Sequence, residues 1–207
     1  MSVNVPAATG SFLLLHGWQN QRPAGHWQHW LAGELRSAGH QVRYPQLPDP
    51  DHPRLTHWLS ALDRELAAMA PEPAGGRTVL CHSLGCLLWM HAVARDGGIA
   101  TPVDRVLLVA PPSPSVLDRH PEISGFAPPS LAERQLAKAA HATRLVCSDD
   151  DPYAPEGAAA LFGEPLGIPV DLLAGQGHLD MDAGYGMWPT LLSWCLDPGR
   201  SIRPRTA

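Results

Sequence analysis

A chain of 207 residues, 44% hydrophobic and 17% charged, has the make-up of one ordinary globular domain and can bury roughly 70% of its unfolded surface. That composition excludes a disordered, collagen-like or coiled-coil polymer. Fifteen Lys and Arg against twenty Asp and Glu leave a net charge of -5, so the broad basic footprint needed for a nucleic-acid partner is missing.

The first ten residues carry no basic leader, and the first apolar run, Phe12 to Leu15, is too short for a signal core or a membrane span. The expectation is a cytoplasmic protein with no membrane partner. Ser11 to His16 reads as a strand, followed by a helix near His26 to Ala38 with Trp27, Trp30, Leu31 and Leu35 on one face. Gly39 stops that helix, Gln41 to Tyr44 forms a second strand, and Pro45 to Pro53 is a proline-rich connection. A helix near Arg54 to Met69 follows, its Leu55, Trp58, Leu59, Leu62 and Leu66 at three- and four-residue spacing.

Arg77 to Cys81 is a strand and Leu84 to Ala94 an apolar helix. Strands at Arg105 to Val109 and Arg144 to Cys147 bracket a proline-containing stretch and a helix near Leu131 to Ala140, which leaves little room for a cap. A helix near Pro155 to Phe162, a strand at Val170 to Leu173 and a helix at Met187 to Leu196 complete the pattern. Strands alternating with helices predict an α/β fold, a mostly parallel central sheet with helices on both faces. One domain covers 1–207, with its core at about 11–196 and the stretch 197–207 a solvated, flexible end.

Ser-x-Gly occurs twice, and context separates the two. Ser37 and Gly39 close a helix, where both are ordinary stop signals; Ser83 and Gly85 join an apolar strand to an apolar helix. The second is the setting of a nucleophile elbow, a sharp turn that lifts the hydroxyl out at the carboxyl edge of the sheet. Cys81 stands where that pattern has its first glycine, and His82 is expected to be a packed structural imidazole.

A serine nucleophile needs a general base and an orienting carboxylate, in the order Ser, Asp, His for this setting. Asp149, Asp150 and Asp151 follow one strand, and His178 follows the next. Asp151 is the preferred orienting residue because the position before Pro152 is held extended; Asp150 is the alternative. Of His16, His26, His29, His82 and His178, which could all lie near the site, only His178 has the right order and strand-end placement. His26 and His29 share a helix face with Trp27 and Trp30, but no further ligand at suitable spacing supports a metal site.

For the oxyanion, the Leu84 N–H at a helix N-terminus is one candidate donor. The Trp18 N–H, in the His16-Gly17-Trp18 turn, is the second, with Gln19 as its alternative. Four cysteines, Cys81, Cys86, Cys147 and Cys195, have no paired Cys-x-x-Cys and read as buried thiols. Most of the seven Trp belong to the core, with Trp18 a candidate for an acyl pocket.

Cys-His-Ser-Leu-Gly-Cys at 81–86, the Asp-Asp-Pro-Tyr that ends at Tyr153, and Gly177-His178 followed by Gly184-Tyr185-Gly186-Met187-Trp188-Pro189 resemble the α/β-hydrolase superfamily. The nearer resemblance is to its small serine hydrolase family that includes retinoblastoma-binding protein 9 and bacterial relatives. It implies a compact hydrolase with Ser83, Asp151 and His178 as catalytic triad. The expected reaction is hydrolysis of an ester or related acyl bond in a small-molecule substrate, without a cofactor or metal. Amide hydrolysis by the same triad, or a non-catalytic interaction module on this fold, are the alternatives, and the protein partner is unknown.

Overall fold

The computed structural model describes residues 9–71 and 73–205. Its centre is a six-stranded sheet in the order β2-β1-β3-β4-β5-β6, formed by β1 (Ser11–Leu15), β2 (Gln41–Arg43), β3 (Arg77–His82), β4 (Val103–Val109), β5 (Ala140–Ser148) and β6 (Val170–Leu173). Every neighbouring pair is parallel. Strands covered on both faces need apolar residues on both, which is why β1 and β3 are buried at every position.

Alternation along each strand sorts the core into two layers. Phe12, Leu14, Leu80, Leu107 and Val146 pack with Trp27, Leu31 and Leu35 of α1 (Trp27–Ser37) and with Leu191 and Trp194 of α7 (Pro189–Leu196). Leu13, Leu15, Val79, Cys81, Leu108 and Cys147 face the other way, onto α2 (Leu55–Ala67), α3 (Leu84–Ala94), α5 (Glu133–Ala139), the π-type turn Ala159–Gly163 and α6 (Glu164–Leu166). All four cysteines are buried and free.

From β1 the chain crosses to β2 on one side, then resumes with β3 on the other. The carboxyl ends of β1 and β3 therefore flank a topological switch point, where open α/β sheets leave a crevice. A short helix, α4 (Pro114–Leu117), and a 3₁₀ turn at Ser124–Phe126 fill the connection after β4.

Three expectations change. First, β5 starts at Ala140, where the sequence suggested the end of a helix. Ala140 and Ala142 pair with Val103 and Arg105 of β4, so ladder pairing recruits residues without strand character of their own. Second, the helix expected at 155–162 forms later, as a wide π-type turn at Ala159–Gly163 continuing to Leu166. Pro155 and Gly157, the latter at φ 84°, hold the preceding segment as a turn.

Third, the stretch after Asp197, exposed at most positions, is tied down at one point. Ile202 is buried in the α1/α7 layer, and the Arg203 carbonyl accepts from the Trp188 indole Nε1–H and the Thr190 hydroxyl, both at 2.8 Å. A buried indole N–H needs an acceptor, and this segment supplies it.

Candidate active site

Ser83 sits between the last residue of β3 and the first of α3 with φ 54° and ψ -124°, a conformation that costs a residue bearing a Cβ on the order of 1–3 kcal/mol. Its N–H donates to Val109 O at 2.9 Å. Two glycines permit the close approach. A Cβ on Gly85 would lie 2.8 Å from the Leu15 and His16 carbonyl oxygens, and one on Gly17 would lie 2.7 Å from the Ser83 Cβ. Cys81, at the position of the missing elbow glycine, is wholly buried within the α2/α3 layer, and burial pushes its thiol pKa well up.

The turn after β1 is fixed by His16, a role the sequence did not disclose. Its Nε2 accepts the Leu47 N–H at 2.9 Å while Nδ1–H donates to Gly17 O at 2.8 Å. Burial lowers its pKa to about 4, so the imidazole is neutral and its tautomer is set by these partners. The Gln19 N–H is committed to Pro50 O at 2.8 Å. Neither the Trp18 nor the Leu84 N–H has a partner among the described residues, and both residues line the same cavity as Ser83.

His178 follows β6 on the same sheet edge. Its Nδ1 lies 3.0 and 2.9 Å from the two carboxylate oxygens of Asp151, and both residues are buried. With Nδ1–H donated to the carboxylate, the Nε2 lone pair is free to take a proton. The Tyr153 ring stands 4.4 Å from the His178 imidazole, and Asp151 Oδ1 also accepts the Tyr153 N–H at 2.8 Å. Ser83 Oγ and His178 make no direct hydrogen bond; they share a cavity of about 240 Å³. Such contacts often tighten only with substrate in place.

The three aspartates have separate tasks. Asp149 accepts the Gly175 N–H at 2.8 Å and Asp150 the Gly177 N–H at 2.7 Å, so these two hold the backbone before His178 while Asp151 meets its ring. The Ser148 hydroxyl and the Gly177 N–H keep the exposed Asp150 carboxyl below the ordinary carboxylate range.

A family model described as serine hydrolase matches residues 12–195. The chain belongs to the serine hydrolase family. No curated protein matches it. Among solved structures, this serine hydrolase is similar to the ydeN gene product from B. subtilis, at 20% identity over 89% of this chain and 95% of that one, with a TM-score of 0.72. It is likewise similar to a putative YdeN-like hydrolase from Pectobacterium atrosepticum, at 23% identity over 91% and 90% of the two chains and a TM-score of 0.66. The esterase domain of a Rhodothermus marinus protein follows at 18%, 94%, 89% and 0.60. These similarities show the α/β-hydrolase fold.

The remaining histidines are accounted for locally. His82 is a buried imidazole, as expected, and its Nε2–H donates to His178 O at 3.1 Å, which ties the two loops together. His26 caps α1, its Nδ1 accepting the Gln28 N–H at 3.2 Å. His29 is exposed on the helix beside it. Among the described residues no three His, Cys, Asp or Glu side chains are grouped as metal ligands, and no helix is long and apolar enough to cross a membrane. Sequence reasoning placed His26 near the site without giving it a role and missed Asp180, Met181 and Asp182, which also line the cavity; the only signal was that these three lie within four residues of His178.

Proposed function

We propose that this serine hydrolase cleaves an ester or related acyl bond, with Ser83 as nucleophile, His178 as general base and acid, and Asp151 as the group that orients His178. The observation that carries this reading is the pairing of both Asp151 oxygens with His178 Nδ1 beside the strained Ser83 turn, with serine and imidazole opening on one cavity.

In the proposed sequence, His178 Nε2 takes the Ser83 proton as Oγ attacks the acyl carbon, and Asp151 stabilises the imidazolium. The oxygen of the tetrahedral intermediate is received by the Trp18 and Leu84 N–H groups, which have no partner among the described residues. Gln19 is set aside as a donor because its N–H is already bonded. Collapse breaks the bond to the leaving oxygen, which receives the proton from His178. Water, deprotonated by the same imidazole, then releases the acid and restores Ser83.

Fluorophosphonate labelling followed by an ester hydrolysis assay tests the reading. Stoichiometric labelling at Ser83 with turnover of simple esters is expected. A folded protein that neither labels nor turns over would overturn it and leave the non-catalytic module.

A further inference from the structure

The residues lining the catalytic cavity form two unlike groups. Trp18, Leu84, Pro112, Val116 and Ile123 are one of them, and Leu84, Val116 and Ile123 are at most 2% exposed. In the other, beside His178, stand Met181 at 46% exposure, Tyr153 at 37% and the exposed Asp182. The first group grows out of the core: Leu84 and Ile123 belong to the α2/α3 layer, and Trp18 packs against it. The histidine loop rests on the opposite layer through Leu179 and Tyr185. The cavity therefore straddles the sheet edge, closed over one layer and open to solvent over the other.

The closed wall is also held in place. The Ile123 N–H donates to His120 O at 3.0 Å, Ile123 O accepts the Phe126 N–H at 2.9 Å, and the Phe126 ring meets that of Trp58 at 5.1 Å. Trp18 is clamped twice, its indole Nε1–H donating to Asp51 O at 3.0 Å and its ring lying 5.0 Å from that of His120. Side chains fastened in this way make room for extra methylenes only by disturbing the core behind them. Met181, by contrast, is an unbranched thioether facing solvent, and such a side chain adapts to what it meets.

The reaction gives each wall a task. On the triad reading, on which this inference rests, His178 hands its proton to the leaving oxygen, so the alcohol half lies on the His178 side and the acyl half is left with the closed wall. The cavity, about 240 Å³, is smaller than the roughly 300–1,000 Å³ of pockets that enclose a drug-sized ligand. We propose that this hydrolase selects esters by their acyl half, taking apolar acids of about butyrate size, with Val116 and Ile123 as the end wall that sets the limit, while varied alcohols project past Met181 and Tyr153. The Ser83 Oγ–acyl bond forms, the acyl–oxygen bond breaks, the alcohol leaves with the proton from His178, and water completes the hydrolysis.

Two ester series test this: ethyl acetate, butyrate and octanoate for the acyl half, and ethyl, hexyl and 2-phenylethyl butyrate, whose alcohols leave about equally well, for the other. The expected kcat/KM rises about fourfold per methylene from acetate to butyrate and falls at least about tenfold by octanoate, while the three butyrates agree within a few-fold. Ile123→Ala should raise the octanoate-to-butyrate ratio by about tenfold, and Val116→Phe should raise the acetate-to-butyrate ratio. Ratios taken within one protein do not depend on how much of a variant is folded. An acyl profile that is flat or still rising at octanoate, a wider spread among the butyrates than among the ethyl esters, or ratios that neither folded variant moves would overturn the inference. Fluorophosphonate labelling of Ser83 separates the two readings. Labelling alongside any of those results removes the acyl limit alone, whereas absence of labelling removes the triad reading and the limit with it.

Discussion

The serine turn and the histidine loop sit on one sheet edge and are built in opposite ways. The serine turn is local: Ser83 is placed by its own backbone conformation, by the strand and helix that abut it, and by Gly85 and Gly17 at contact distance. The loop at 174–188 has no regular structure to hold it and is fastened from many directions. Asp149 and Asp150 take its backbone N–H groups, His82 binds its carbonyl, and Tyr185 O accepts the Trp27 N–H at 3.1 Å. From the tail, Arg203 binds Trp188, and Arg205 lies 5.9 Å from the centre of the Tyr185 ring. A serine can be positioned by the strained backbone of one residue and its two glycine neighbours, while an imidazole on a loop depends on bonds from distant parts of the chain.

The largest expected effect removes the local device. Ser83→Ala should lower kcat on the order of 10⁶-fold, by comparison with other triad enzymes, with the fold intact by circular dichroism, while Ser37→Ala should change little. Ester turnover retained in purified Ser83→Ala would show that the turn is not the reacting centre.

The aspartates then divide ring orientation from loop support. Asp151→Asn keeps the shape but favours the wrong imidazole tautomer, and a loss of roughly 10⁴ in kcat is expected. Asp149→Asn and Asp150→Asn, whose carboxylates bind loop backbone N–H groups and, for Asp150, the Ser148 hydroxyl rather than the His178 ring, should lose far less. Steady-state kinetics on the three variants decides this, and a larger loss at Asp150 would reverse the assignment.

Acid should expose the buried histidines around both devices. His16 and His26 have pKa values lowered from 6.5 to about 4 by burial. Between those pH values the unfolded chain binds protons that the folded protein refuses, so stability must fall as pH drops from 6.5 towards 4. Each group contributes a loss of about 3 kcal/mol over that span. Urea midpoints measured from pH 7 to pH 4.5 should decline steeply, and a flat profile would mean that these imidazoles are solvated.

The smallest effect concerns the tail. Ile202→Ala should cost about 2 kcal/mol of stability, as expected for a buried aliphatic truncation, and lower kcat by only a few-fold through a looser histidine loop. Thermal unfolding and kcat measured together check it. Unchanged values for both would mean that the tail contributes nothing to the loop.

The alternation of apolar strands and helices in the sequence was enough to place six strands and most helices, because burial on both sides of a parallel sheet demands it. The places of Ser83 and His178 on one sheet edge were readable for a related reason: each follows an apolar run that becomes a strand. Periodicity could not show where β5 begins, since Ala140 to Thr143 become strand by pairing with β4. It also read the tail as solvent-facing, because one isoleucine among Arg and Pro carries no pattern, yet Ile202 is buried.

By itself, then, the sequence determined the class of fold, the sheet edge on which Ser83 and His178 stand, and the residue types offered there, all properties of hydrophobic spacing and chain order. Tertiary structure decided which aspartate meets the imidazole, that Gln19 is occupied while the Trp18 N–H is open, and that Asp180 and Asp182 line the same cavity as His178. These depend on contacts between residues far apart in the chain. A hydrogen bond is made or lost over a fraction of an ångström, and no local pattern of residues encodes a distance of that kind.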